Sequence, residues 1–107
     1  MQIDKVVEDG LVAVLVSPGY GAGWSTWNWG EASIRMTFDP DIVEWVRKGK
    51  VGQRVNLEEK YDESYICQLG DDQLEILWLP VGTQFSINEY DGFESIELLD
   101  SMEFMEA

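Results

Sequence analysis

Histidine is absent from the 107-residue sequence, and cysteine occurs once, at Cys67. The absence of histidine excludes Ser-His-Asp and Cys-His catalysis and also histidine-ligated zinc. A lone cysteine forms neither an intrachain disulfide nor a paired-cysteine metal site, so it predicts a reducing, intracellular location. We therefore expect a protein of the cytoplasm that is not an enzyme and that uses no cofactor and no metal.

Long apolar runs are also missing. No run approaches the roughly 18 residues of a membrane span, and residues 1–5 show no basic segment leading into an apolar one. We expect a soluble protein that is not exported. The length predicts a single domain, residues 1–107, and a domain of this size buries roughly two-thirds of its unfolded surface. The 45% hydrophobic content is sufficient for a core, so global disorder is not expected.

Basic residues are absent from residues 62–107, which carry twelve acidic residues and a charge of −12. Residues 1–61 hold all seven basic residues against nine acidic ones, and the formal net charge of the chain is −14. The acidic half, which includes Glu94 and Glu97, should repel nucleic acid and anionic membranes and attract basic surfaces. We therefore expect no direct binding to nucleic acid or to a membrane.

The most unusual stretch is residues 17–30, which read Ser-Pro-Gly-Tyr-Gly-Ala-Gly-Trp-Ser-Thr-Trp-Asn-Trp-Gly. It follows an apolar run at 11–16 that predicts a buried, central strand. Glycine permits positive φ and close approach, and tryptophan supplies a large apolar face with one donor. Exposed N–H groups after a strand can bind an anion, although the glycine spacing matches no known phosphate fingerprint.

This loop is the predicted binding site for a planar, nucleotide-like ligand, because it combines stacking faces with hydrogen-bonding groups. The candidate ligand-binding residues of the loop are Tyr20, Gly21, Gly23, Trp24, Ser25, Thr26, Trp27 and Asn28. Arg35 would pair with a phosphate of the ligand, unless it is a surface residue paired with Glu31. The alternative is a tight turn whose tryptophans belong to the core, as aromatic residues of small domains often do.

The rest of the chain predicts an α+β domain with a small, mostly antiparallel sheet, one main helix and a C-terminal β-hairpin. The helix spans about 39–48, because Asp39 suits the N-cap, Pro40 the first helical position and Gly49 the stop. The hairpin is predicted at 84–99 around Asp91-Gly92, since Asp-Gly between β-rich runs favours a tight turn.

Other elements follow from periodicity and turn residues. Alternation predicts a strand at 31–37, with a helical turn inside 24–32 as an alternative. Further strands are predicted at 65–69 and 74–79. Residues 50–63 are polar, with a turn or a loop expected at 57–60, and 100–107 are expected to form a short helix or an edge strand.

Three segments together resemble a family of small, acidic, mostly uncharacterised proteins encoded by bacteriophages and prophages. They are the loop sequence at 16–28, the Phe-Asp-Pro helix start at 38–40, and Phe-Ser-Ile-Asn-Glu-Tyr-Asp-Gly-Phe-Glu-Ser at 85–95. The resemblance implies no established activity and no functional residues. It implies a context, the cytoplasm of an infected bacterium, in which such proteins often sequester nucleotide signals or block host effectors.

Two functions are therefore predicted. The first is a non-enzymatic phage protein that binds a small ligand and sequesters a nucleotide-type host defence signal. The alternative is an acidic protein–protein inhibitor that mimics nucleic acid and occupies a basic groove of a host defence or nucleic-acid-binding protein. Strand edges and the uneven charge also favour a homo-oligomer.

Overall fold

Two antiparallel sheets and three helices make up residues 2–99, the part of the chain that the computed structural model describes. The first sheet has the order β1 (Val7–Glu8), β2 (Leu11–Val16), β3 (Glu75–Pro80). The second sheet pairs β4 (Phe85–Tyr90) with β5 (Phe93–Leu98). The helices are α1 (Gly30–Phe38), α2 (Pro40–Arg47) and α3 (Leu57–Tyr61). This architecture confirms the predicted α+β class.

The strand β2 is the central strand of its sheet, as its unbroken apolar sequence predicts. It pairs with β1 across the Asp9-Gly10 turn and with β3 along its whole length. The side chains of Ala13, Val14 and Leu15 are fully buried. Since consecutive side chains of a strand point to opposite faces, both faces of β2 are covered.

Residues 31–37, predicted as a strand, form most of helix α1, so that prediction is wrong. Ala32 and Met36 are both buried, as expected of residues four apart on one helix face. Ile34, which strand alternation would place beside them, is 46% exposed. The alternative of a helical turn before Ala32 agrees with a 3₁₀ turn at Ser25–Trp27. Over so short a stretch, the spacing of the apolar side chains fits a strand and a helix alike. Their packing in the core decides in favour of the helix.

The predicted main helix is present as α2, and it continues α1 after a bend at Asp39. The Asp39 carboxylate accepts the backbone N–H groups of Asp41 and Ile42 at 2.9 and 3.1 Å, which is the expected N-cap. At the other end, Gly49 has φ +82° and donates its N–H to the Val46 carbonyl at 3.0 Å. The glycine stop is therefore also confirmed.

The strand predicted at 65–69 is absent, and Leu69–Gln73 form a 3₁₀ helix instead. The backbone N–H of Cys67 donates to the Asn28 side-chain oxygen at 2.9 Å, and the Cys67 carbonyl accepts from the Asn28 amide at 3.0 Å. Because the Asn28 side chain provides hydrogen bonds to both backbone groups of Cys67, these groups need no partner strand. The patch 57–60, expected to be a turn or a loop, instead forms most of the short helix α3, which the Asn56 side chain caps.

The C-terminal hairpin is confirmed, with Tyr90 opposite Phe93 across a turn at Asp91 and Gly92. Both turn residues have positive φ, 51° and 86°, which is the geometry that the Asp-Gly pair favours. The segment 100–107 lies outside the described residues. No helix within 2–99 has the length and apolar character needed to cross a membrane.

The core lies between the β2–β3 sheet and the helices, and the first tryptophan of the loop belongs to it. Trp24 is fully buried and clusters with Leu15, Met36 and Leu57. Its indole Nε1 donates to the Met36 carbonyl oxygen at 2.8 Å. Trp24 therefore connects the loop to α1, and the structure agrees here with the alternative interpretation of the loop as part of the core.

We expect Trp24→Ala to lower the free energy of unfolding by about 3–5 kcal/mol, because it empties a filled site and removes a donor from the Met36 carbonyl. Trp29→Ala is the matched control, since Trp29 is 76% exposed, and its effect should stay within about 0.5 kcal/mol. Urea unfolding followed by circular dichroism measures both. Equal losses in the two variants would contradict this placement of Trp24.

Candidate functional site

A buried carboxylate, that of Glu94 on β5, lies at the centre of the loop 17–30. Glu94 is 1% exposed. Its Oε1 accepts the backbone N–H of Ser17 at 2.9 Å, and its Oε2 accepts those of Trp24 and Thr26 at 2.7 and 3.0 Å. The Thr26 hydroxyl adds a fourth hydrogen bond, at 2.5 Å. The ion pairs found within residues 2–99 do not include Glu94, so neutral donors compensate its charge.

The loop is also closed by main-chain contacts. The Glu94 N–H donates to the Ser17 carbonyl at 2.9 Å, so these two residues are bonded in both directions. The Ser17 hydroxyl donates to the Ala22 carbonyl at 3.0 Å, and the Gly21 N–H donates to the Asp91 carbonyl at 2.8 Å. The loop is therefore fixed to the hairpin at both its start and its tip.

The predicted anion cradle of the loop is present, but it holds a carboxylate of the same chain. Three backbone N–H groups, those of Ser17, Trp24 and Thr26, converge on one negative charge, as they would on a phosphate. Because Glu94 already occupies these donors, they are not open to an external anion. The sequence indicated only that N–H groups of the glycine-rich loop can bind an anion, and it identified neither Ser17 as a donor nor Glu94 as the acceptor.

The glycines allow close packing of neighbouring segments. A Cβ at Gly23 would lie 2.6 Å from Cδ1 of Trp27, and one at Gly70 would lie 2.6 Å from the Gly23 carbonyl oxygen. A Cβ at Gly92 would lie 2.8 Å from the carbonyl carbon of Ala22. Such distances leave no room for a side chain, so these glycines bring the loop, the 3₁₀ helix and the hairpin turn into direct contact.

The nine predicted ligand-binding residues do not share one surface. Gly23, Trp24 and Ser25 are buried, Thr26, Trp27, Asn28 and Arg35 are half-buried, and Tyr20 and Gly21 are exposed. The Asn28 amide is engaged by Cys67, and the Thr26 hydroxyl by Glu94. The tryptophans of the loop therefore do not all face outward, since Trp24 is buried.

Arg35 lies on α1, with Cζ 3.9 Å from the centroid of the Tyr61 ring. The ion pair with Glu31 that the sequence offered as an alternative is not among those found in residues 2–99. Within residues 2–99, Arg35 therefore takes part neither in the hydrogen bonds around Glu94 nor in an ion pair with Glu31.

Two of the predicted residues, Ser25 and Thr26, line an open groove of about 400 Å³ between α1 and β4. Its walls combine apolar side chains with hydroxyls, and the apolar ones are Ile34, Phe38, Phe85 and Ile87. The rings of Phe38 and Phe85 meet edge to face, with centroids 6.2 Å apart. Among residues 2–99 no charged side chain lines the groove, so this part of the chain offers no partner for a phosphate there.

Large apolar side chains that are exposed lie on the three segments that meet at the loop. They are Tyr20, Trp29, Tyr65, Leu69 and Tyr90, each between 64% and 88% exposed. We call the exposed side chains of residues 20–29, 65–72 and 89–93 the loop surface. Sequence analysis missed Tyr65 because it was assigned to a strand, and it missed Tyr90 because the hairpin was treated only as structure.

Hydrogen bonds and stacking hold these three segments together. Asn28 bonds to both backbone groups of Cys67, and Gly21 bonds to Asp91. The Tyr20 ring lies 5.1 Å from the Phe93 ring between centroids, and Phe93 is opposite Tyr90 in the hairpin. The exposed aromatic side chains therefore stand on a fixed backbone.

Acidic groups accompany the aromatic ones on the loop surface. Asp72, Glu89 and Asp91 are exposed, and the three segments contain no lysine or arginine. Two basic side chains from outside the segments reach Asp72, since Arg54 pairs with its carboxylate at 2.5 Å and Lys50 donates to its carbonyl at 2.6 Å. The backbone N–H of Gly92 and the indole N–H of Trp27, at 2.7 and 3.2 Å, hold the pKa of Glu89 below its ordinary value. Within residues 2–99, no three Cys, Asp or Glu side chains are grouped to hold a metal ion.

Comparisons with protein-family models, with curated proteins and with solved structures found no match. The resemblance of the loop and hairpin to small phage proteins stays a prediction. The geometry of the loop surface and its charge are therefore the basis for the proposed function.

We expect Glu94→Gln to lower the free energy of unfolding by about 2–4 kcal/mol, because an amide offers one oxygen and turns an N–H₂ group toward backbone donors. Glu97→Gln is the matched control, since Glu97 is an exposed residue of the same strand; its effect should stay within about 0.5 kcal/mol. Chemical denaturation gives both values. A Glu94→Gln protein as stable as the control would overturn the central role of this carboxylate.

We expect Glu89 to titrate below its ordinary pKa of 4.5, since two donors stabilise its charged form. A lowered folded-state pKa means that this stabilisation is present above the ordinary pKa and is lost as pH falls through the folded one. The Trp27 indole N–H resonance should follow the same titration in an NMR experiment. In Glu89→Gln that acid response should vanish, and a midpoint at or above 4.5 in the unaltered protein would contradict the prediction.

Proposed function

We propose that this protein acts without catalysis, by binding a basic surface of another protein through the loop surface. The observation that carries the proposal is the exposure of several large aromatic side chains on segments that hold acidic residues and no basic ones. Tyrosine and tryptophan are enriched among the residues that dominate protein–protein affinity. Exposed apolar groups of this size are typical of interaction sites.

The rigidity of the loop supports this function. Glu94 fixes the loop from inside through four hydrogen bonds, and Asn28 fixes the neighbouring segment at Cys67. A surface that is ordered before it meets a partner loses little conformational entropy on binding. Tyrosine and tryptophan on fixed loops also supply contact area with few rotatable bonds.

The charge supports a basic partner. The formal net charge is −14, and Glu89 and Asp91 of the loop surface belong to no ion pair found in residues 2–99, whereas Asp72 pairs with Arg54. Such a field accelerates association with a cationic surface and disfavours anionic ones. Glu94, which the sequence placed among the interacting charges, is buried and structural. The exposed acids of the hairpin, Glu89 and Asp91, take that role in the proposal.

Between the two functions that the sequence predicted, these observations favour the acidic protein–protein inhibitor. Sequestration of a nucleotide relied on outward-facing tryptophans and free N–H donors. Trp24 is in the core, and Glu94 accepts from three of the donors. A basic groove that normally receives nucleic acid is the partner surface whose chemistry fits best.

The proposal is tested by placing a photo-crosslinking residue at Trp29 in cells of a bacterial host, and then purifying the protein it captures. With that partner in hand, calorimetry should show Trp29→Ala and Tyr65→Ala weakening binding about tenfold or more each. Val51→Ala is the control, because Val51 is an exposed apolar residue outside the loop surface; it should bind as the unaltered protein does. Thermal unfolding of every variant verifies the fold.

Asp91→Lys tests the electrostatic part of the proposal. We expect a slower association and a weaker dependence of affinity on salt, because one attractive charge is replaced by a repulsive one. A partner that binds all these variants equally well would refute the assigned surface. A panel of nucleotides that raises the melting temperature, with no protein captured, would instead favour the small-ligand function.

A further inference from the structure

A second cavity, which shares no lining residue with the loop surface, is defined by charged side chains. It has a volume of about 190 Å³ and lies between the N-terminal segment, α1 and α3. The charged side chains that line it are Asp4, Glu31, Arg35, Asp39 and Lys60. We call it the Arg35 cavity. Pockets for drug-sized ligands measure about 300–1,000 Å³, so this one suits a smaller molecule.

Two of the five charged residues, Lys60 and Asp39, form an ion pair with each other. The Lys60 ammonium lies 2.9 and 2.8 Å from the two carboxylate oxygens of Asp39, and 2.8 Å from Asp41. Burial alone would lower the pKa of Lys60, but these carboxylates outweigh it and hold the pKa above its ordinary value. Asp39 also accepts from the Tyr61 hydroxyl at 2.6 Å. Burial and this hydrogen bond raise the pKa of Tyr61, so the phenol stays protonated.

Arg35 is different, because it is positioned but not paired. Its guanidinium lies over the Tyr61 ring, and the Asp39 carboxylate fixes that ring through its hydroxyl. The hydrogen bonds and ion pairs found within residues 2–99 involve no donor of the Arg35 side chain. A guanidinium stacked on a ring keeps its N–H donors in its own plane, where they match a carboxylate in bidentate geometry.

The remaining charges of the cavity are negative. Glu31 lies one helical turn before Arg35 on α1, and Asp4 lies on the N-terminal segment. Both residues are exposed, and neither belongs to an ion pair found in residues 2–99. Within residues 2–99, the cavity thus presents one unpaired guanidinium and two unpaired carboxylates. A ligand with several negative charges would meet repulsion from both of them.

We propose that the Arg35 cavity binds a small zwitterion, of the class of a free α-amino acid. Its carboxylate pairs with the Arg35 guanidinium, and its ammonium group lies toward Glu31 and Asp4. The size of the cavity and the sign of each unpaired charge in it agree with this ligand. The site is separate from the loop surface, so neither proposal depends on the other.

The test is an NMR titration of the intact protein with glycine, alanine and leucine as free amino acids. The backbone amide resonances of α1 and α3 should shift in a saturable way. Acetate and methylammonium, which each supply half of the zwitterion, should bind at least tenfold more weakly. Failure of all three amino acids to shift these resonances overturns the proposal, and so does stronger binding of inorganic phosphate or ATP.

Variants separate recognition from folding. Arg35→Gln should lower amino acid affinity at least tenfold. Arg35→Lys keeps the charge without the planar guanidinium, so its affinity should lie between those of Arg35→Gln and the unaltered protein. Arg47→Gln is the matched control, because Arg47 bonds to Glu8 and does not line the cavity. Glu31→Gln should reduce the preference for amino acids over acetate. Unchanged binding in an Arg35→Gln protein that remains folded would refute the site.

Discussion

The buried carboxylate of Glu94 is the interaction on which the loop and its surroundings depend. It comes from the hairpin, about seventy positions from the backbone groups of Ser17, Trp24 and Thr26 that it binds. A carboxylate without a cation partner is costly to bury unless donors surround it, and here four do so. The same contact satisfies backbone N–H groups that would otherwise be buried without acceptors. The loop and the hairpin therefore stabilise each other.

This arrangement has a consequence for function. The donors that make a glycine-rich loop suitable for a phosphate are used within the chain, so in the proposed function the loop offers side chains rather than backbone to a partner. With Trp24 packed in the core and Asn28 bonded to Cys67, the side chains left for recognition are those that point away from the network: Tyr20, Trp29, Tyr65, Leu69 and Tyr90. A fixed backbone with exposed aromatic side chains is the basis of the proposal that the protein binds another protein. Asp39 organises the other end of α1 in a comparable way, since one carboxylate caps α2 and fixes Lys60 and Tyr61.

Local signals were reliable where local physics decides the structure. The N-cap at Asp39, the glycine stop at Gly49 and the Asp-Gly turn each depend on a few neighbouring residues, and each is present as predicted. The errors lie where distant contacts decide. The stretch 31–37 alternates as a strand would, but the burial of Ala32 and Met36 on one face makes it helical. Residues 65–69 are rich in strand formers, but the side chain of Asn28 takes the backbone groups of Cys67.

The sequence by itself determined the class of the fold, the position of the main helix and of the hairpin, and the uneven charge, because these follow from short-range pattern and composition. It also marked the loop 17–30 as unusual, with backbone N–H donors able to bind an anion. Tertiary structure alone decided which anion they hold, which tryptophan enters the core, and which aromatic side chains remain exposed. The reason is that a side chain such as Glu94 looks the same in sequence whether it meets water or the N–H groups of a distant loop, and only the folded backbone brings those groups within hydrogen-bonding distance.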